Sequence, residues 1–157
     1  MWPSDWPSSA RAIATAVEAA VTAAKAADAS GFSATTAELS ELPADQVTAV
    51  LSAIVRELLE TAHPDGLTGD AVRAVLESVV RRSATWLPRL DAAAVISALT
   101  GALGIDESAE PDRIGTNPQP AAVLLIEYLA ELARTPPQQS IQRAINEIAR
   151  AETIEMP

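Results

Sequence analysis

Leu42-Pro-Ala-Asp-Gln-Val-Thr-Ala-Val-Leu-Ser-Ala-Ile-Val-Arg56 recurs about 25 residues later as Leu67-Thr-Gly-Asp-Ala-Val-Arg-Ala-Val-Leu-Glu-Ser-Val-Val-Arg81. Eight of the fifteen columns match, and a degenerate third copy runs from Leu90 to Leu99. The repeat has a physical reading. With Thr68 as the residue that caps a helix N-terminus, Leu67 precedes the cap and Val72 lies one turn in. That spacing is a hydrophobic staple. The same spacing links Leu42 with Val47 and Leu90 with Val95. Asp91 caps its own helix, while Asp45 and Asp70 fall in first turns, where a negative charge suits the helix dipole. Each unit is one helix and a turn, shorter than the roughly 33–47 residues of a two-helix solenoid repeat. The expectation is an all-α antiparallel bundle of six or seven helices, with HEAT-like pairing of units as the alternative.

Working outward, helical periodicity covers most of the chain. Pro43 to about Ala62 is the strongest segment, with Val47, Val50, Leu51, Ile54, Val55, Leu58 and Leu59 on one face. Gly69 to about Thr85 repeats the stripe with Val72, Val75, Leu76, Val79 and Val80, and Ala92 to Leu103 continues it with Val95, Ile96 and Leu99. Upstream, a helix from Ser8 to Ala29 carries Ile13, Val17, Ala20, Val21 and Ala24, stopped by Ser30-Gly31. A short helix is expected over Ala34 to Glu41. Downstream, Pro120 to Arg134 is apolar nearly all round, which marks a central helix. Gln138 to Glu152 closes the chain with Ile141, Ala144, Ile145 and Ile148. Leu51, Leu76, Leu99 and Leu129 are expected at the centre of the core. Residues 1–8 read as an extended leader and residues 105–119 as an acidic loop, within a single helical domain spanning 1–157.

Composition limits the chemistry. The apolar share is 48%, yet only Trp2, Trp6, Phe32, Trp86 and Tyr128 are aromatic, so the core must come from Ala, Val, Leu and Ile. A formal charge of −10 with Lys25 as the only lysine argues against nucleic acid, which demands clustered cations. Arg81-Arg82 is the only dense basic run. There is no cysteine, which removes disulfides and thiolate chemistry. No apolar run reaches membrane-span length, and Glu18 and Lys25 interrupt the Ala-rich N-terminal stretch that a signal peptide would need. The expected location is the cytoplasm, without membrane insertion.

The reactive side chains are sparse. Glu60-Thr-Ala-His63 has the Glu-x-x-His spacing of carboxylate-bridged metal bundles, but His63 is the only histidine, so a structural role at a helix end is expected instead. No nucleophile elbow, phosphate-binding glycine loop or calcium-loop spacing is present. No catalytic residue, cofactor or metal is expected. Glu127, Tyr128 and Glu131 stand out as polar residues on an otherwise apolar helix, candidates for a polar pocket. Trp2 and Trp6, each followed by Pro-Ser, are candidates for contact with a partner, since tryptophan is enriched in interface hot spots. The expectation by exclusion is a non-catalytic interaction or scaffold module with a protein partner, self-associating as a homodimer. The alternative is a small-molecule-binding or enzymatic bundle using Glu127, Tyr128, Glu131 and nearby arginines.

Overall fold

The computed structural model describes residues 2–104 and 117–155; residues 105–116 of the expected acidic loop lie outside the described residues. The described residues form seven α-helices and no strand: α1 (Ser8–Lys25), α2 (Ala29–Glu41), α3 (Ala44–Ala62), α4 (Gly69–Ala84), α5 (Ala92–Ala102), α6 (Gln119–Leu132) and α7 (Pro137–Glu155).

The ends of the helices follow from local chemistry. Asp28, Thr68 and Asp91 each place a side-chain oxygen on a first-turn amide, from Gly31, Ala71 and Ala93 respectively, at 2.9–3.1 Å. Each satisfies a donor that the helix itself leaves orphaned. The α1–α2 junction differs from the expected one. α1 ends at Lys25, not near Ala29, and α2 begins at Ala29, not at Ala34. The left-handed residue at the break is Ala27, with φ 53°, closed by Asp28 N–H donating to the Ala23 carbonyl at 2.9 Å. Gly31 is therefore no terminator but part of the first turn of α2. Its lack of a side chain still matters: a Cβ there would lie 2.5 Å from the Asp28 carboxylate that caps the helix.

α6 is the axis of the fold. Ten of its fourteen residues are buried, and it packs against every other helix. A solenoid, in which each repeat touches only its neighbours, has no such element, so the HEAT-like alternative does not describe this chain. α1 pairs with α2, α3 packs against both α5 and α7, and α7 also meets α1. The stripes expected on α1 and α3 are buried completely. Leu51, Leu99 and Leu129 are central, at 2% exposure or less. Leu76 is not: it is half-buried, because α4 lies at the edge of the bundle, with its main contacts to α5 and α6. Leu132, on the last turn of α6, is 47% exposed. Among the described residues no helix is long and apolar enough to cross a membrane.

Candidate functional site

Glu127 and Glu131 are one helical turn apart on α6, so their carboxylates share a face. α4 supplies the charge between them. Arg82 Nη2 donates to Glu127 Oε1 at 2.8 Å and to Glu131 Oε2 at 2.6 Å, and its guanidinium lies 5.9 Å from the Tyr128 ring centre, within cation–π range. The three expected residues are thus brought together by an arginine 45 positions upstream of Glu127. The two carboxylates differ. Glu127 is 8% exposed and its carboxyl is pushed above the ordinary range, first by desolvation and against the pull of Arg82. Glu131 is open to solvent, and the Arg82 hydrogen bond holds it below that range. Lys25 and Arg134 border the same hollow of about 610 Å³, and Lys25 favours the ionised form of both acids.

The same Arg82 nitrogen serves both carboxylates, and the pairing ties the lightly packed α4 to the central α6. Arg82 and Glu131 keep 42% and 65% side-chain exposure, so solvent screens much of the attraction.

The tryptophans of the leader are folded against the bundle. Trp6 N–H donates to the Pro3 carbonyl at 3.3 Å, so residues 3–6 form a turn in place of the expected extended leader. Trp6 is 6% exposed and its indole N–H donates to Asn146 Oδ1 of α7 at 3.1 Å. Trp2 stacks on it with ring centres 5.7 Å apart and interplanar angle 14°. The pair anchors the start of α1 to α7. Only Trp2 retains appreciable open surface, beside the hollow it lines with Arg11 and Glu38.

A second aromatic pair was not evident from the sequence. Phe32 of α2 meets Trp86, just beyond α4, edge to face at 5.4 Å. The two form the floor of an open cleft of about 510 Å³, bounded by Leu87 and Leu90 of the α4–α5 connection and by Ala121 and Leu124 of α6. Exposed Arg89 and Asp91 sit on its rim. The available signal was Trp86-Leu87-Pro88, an aromatic beside a proline that stops a helix, but its partner lies 54 residues away in sequence.

His63 Nδ1–H donates to the Leu59 carbonyl at 2.9 Å, satisfying the end of α3. Among the described residues no three histidine or carboxylate side chains converge as metal ligands. Comparison with protein-family models, with curated proteins and with solved structures gives no match.

Proposed function

We propose that this protein is a non-catalytic helical interaction module that holds a short apolar segment of a partner protein in the Phe32–Trp86 cleft. The observation that carries the reading is the cleft itself. It joins a half-buried tryptophan, half-buried Leu87 and Leu90, and an arginine and an aspartate at the rim. An aromatic floor with a polar rim is the composition of an interface anchor site. The Arg82–Glu127–Glu131 cluster supports the reading from the other side. Its groups are engaged with one another, which favours a structural role over the pocket alternative. With Trp6 in the core, contact with a partner passes from the leader to Trp86.

Selection of peptides from a random displayed library, followed by titration of the winners, tests this. Peptides carrying an aliphatic or aromatic anchor should be enriched and should lose at least about tenfold in affinity on Trp86→Ala, in the range of an interface hot spot. No enrichment, or binders indifferent to Trp86→Ala, would overturn the proposal. Self-association is the special case in which the partner segment belongs to a second copy. Light scattering across a dilution series should then show a dimer that Trp86→Ala dissociates; a monomer mass at high concentration removes that case.

A further inference from the structure

α6 carries two features in one row. Ala121, Leu124, Glu127 and Glu131 follow at intervals of three, three and four residues, so they share one side of the helix. The first two wall the Phe32–Trp86 cleft, and the last two are the carboxylates that hold Arg82. The end of α4 meets this row in the opposite order. Arg82 stands at Glu127 and Glu131, and Trp86, four residues later, stands in the cleft with Ala121 and Leu124. Hydrogen bonds join the two positions closely. The Ser83 carbonyl accepts from Trp86 N–H at 3.2 Å and from Leu87 N–H at 2.8 Å, and Thr85 Oγ1 donates to the Arg82 carbonyl at 3.1 Å. Trp86 and Leu87, both part of the cleft lining, therefore hang from the turn that Arg82 anchors. Packing grips that turn weakly: Ser83 is buried but small, and Ala84 and Thr85 are exposed.

We infer that the ion pairs of Arg82 with Glu127 and Glu131 fix the register of α4 on α6 and so hold Trp86 in place to receive the apolar segment. Arg82 is then a positioning residue for binding, an inference that rests on the cleft being the binding site. Arg82 itself borders the hollow shared with Lys25 and Arg134 and does not line the cleft, so its effect on the segment passes through Trp86. The geometry suits the setting of a register. Arg82 Nη2 is held from two points one turn apart on α6, so a slide of α4 in either direction lengthens one of the bonds. Solvent screens the attraction to Glu131, but Glu127 is 8% exposed, and there the screening is weaker. Loss of the anchor acts on affinity through a population. When Trp86 keeps its place for only part of the time, affinity falls by that fraction.

The test has one arm without a partner and one with. In the full chain with labelled aromatic rings, the single phenylalanine, Phe32, should show nuclear Overhauser contacts to the Trp86 ring. Arg82→Met should weaken those contacts and move the Trp86 indole N–H signal, while the Trp6 signal, held by Asn146 on α7, stays in place. Glu131→Gln, a change at a solvent-open position that folding tolerates, should act in the same direction and less strongly. In the second arm, peptides selected for the cleft should bind Arg82→Met about threefold to tenfold more weakly than the unsubstituted chain, a smaller loss than on Trp86→Ala. Glu127→Gln with Glu131→Gln should also weaken binding, and Arg82→Met should then cost less than it does alone, because all three changes break one link. Unmoved Trp86 signals in Arg82→Met would overturn the inference. So would peptides that lose affinity on Trp86→Ala but bind Arg82→Met as tightly as the unsubstituted chain; the cleft's function would then stand. Movement of the Trp6 signal together with that of Trp86 would mean general loosening and would overturn it too. Absence of any binding peptide would overturn the cleft's function and the binding half of the inference, and the ring contacts would decide the positioning half alone.

Discussion

α3 and α4 carry the two copies of one sequence unit, but they occupy different depths. Aligned from Leu42 and Leu67, the stripe positions pair as Val47 with Val72, Val50 with Val75, Leu51 with Leu76, Ile54 with Val79 and Val55 with Val80. All five on α3 are buried, whereas on α4 only Val75 and Val79 are. The residue types themselves differ most in the last turn. Where α3 has Leu58 and Leu59, both at 1% exposure or less, α4 has Ser83, buried but small and polar, and exposed Ala84. Two leucines draw the whole length of α3 between α5, α6 and α7. A serine and an alanine leave α4 with a shorter apolar payload, and it rests at the edge. A shared repeat therefore specifies the helix and its start, while the unshared residues specify its depth.

The largest expected effect tests that contrast directly. Leu51→Ala should cost about 2–5 kcal/mol, because a buried leucine leaves a cavity that tight neighbours cannot fill. Leu76→Ala, at the matching position, should cost about 1 kcal/mol, since the half-buried side chain is already partly hydrated. Urea denaturation of both variants measures the difference. Equal costs would mean that α4 is as deeply packed as α3 and would break the comparison.

An intermediate effect concerns what holds α4 in place of packing. Arg82→Met keeps an apolar stem and removes the charge that joins α4 to α6. Glu127 is then left ionised and buried, with only Lys25 nearby to offset its charge, at a cost of about 1–3 kcal/mol at neutral pH. The pH dependence has a definite sign. Glu127 already has its folded pKa above 4.5, so its ionisation opposes folding as pH rises through that range, and losing Arg82 widens the window. Glu131 has its folded pKa below 4.5, so its contribution is present above 4.5 and lost as pH falls through the folded value. Without Arg82, both changes make the variant's deficit greater at neutral pH than near pH 4, where Glu127 is protonated and wants no counterion. Paired denaturation curves at the two pH values check this; a deficit independent of pH would show that Glu127 is not the residue left exposed to the loss.

Legibility from sequence followed the range of the interaction. Helix starts depend on neighbours in the chain, and Thr68 and Asp91 cap as their spacing implies. The central place of α6 was legible too, because an apolar circumference has only one comfortable location. The α1–α2 break was misread because Gly31 invites a left-handed stop, whereas Ala27 adopts that conformation and Gly31 serves the Asp28 cap. In the candidate sites, Glu127, Tyr128 and Glu131 announced themselves as polar residues on an apolar helix. Arg82 did not, since nothing local connects it to residues on another helix. The Phe32–Trp86 floor arises from tertiary placement alone.

The smallest effect sharpens the comparison most. α3 begins at Pro43, which offers no side-chain acceptor, and its N-terminal amides gain nothing from a cap. α4 begins at Thr68, whose Oγ1 accepts from Ala71 N–H at 3.1 Å. A helix held by burial along its whole face needs little from its end, but a shallow helix relies on it more heavily. Thr68→Ala should therefore cost about 1 kcal/mol, the ordinary value of a threonine cap. The informative measurement is where that loss appears. Native-state hydrogen exchange should show α4 amides opening at lower free energy than those of α3, and Thr68→Ala should lower protection in α4 while leaving α3 near its original level. Confinement of the loss to α4 would show that it opens as a unit of its own, as elements with few buried contacts do. Equal loss in both helices would mean that α4 comes apart only when the whole bundle does, and the difference in depth would then have no counterpart in local stability.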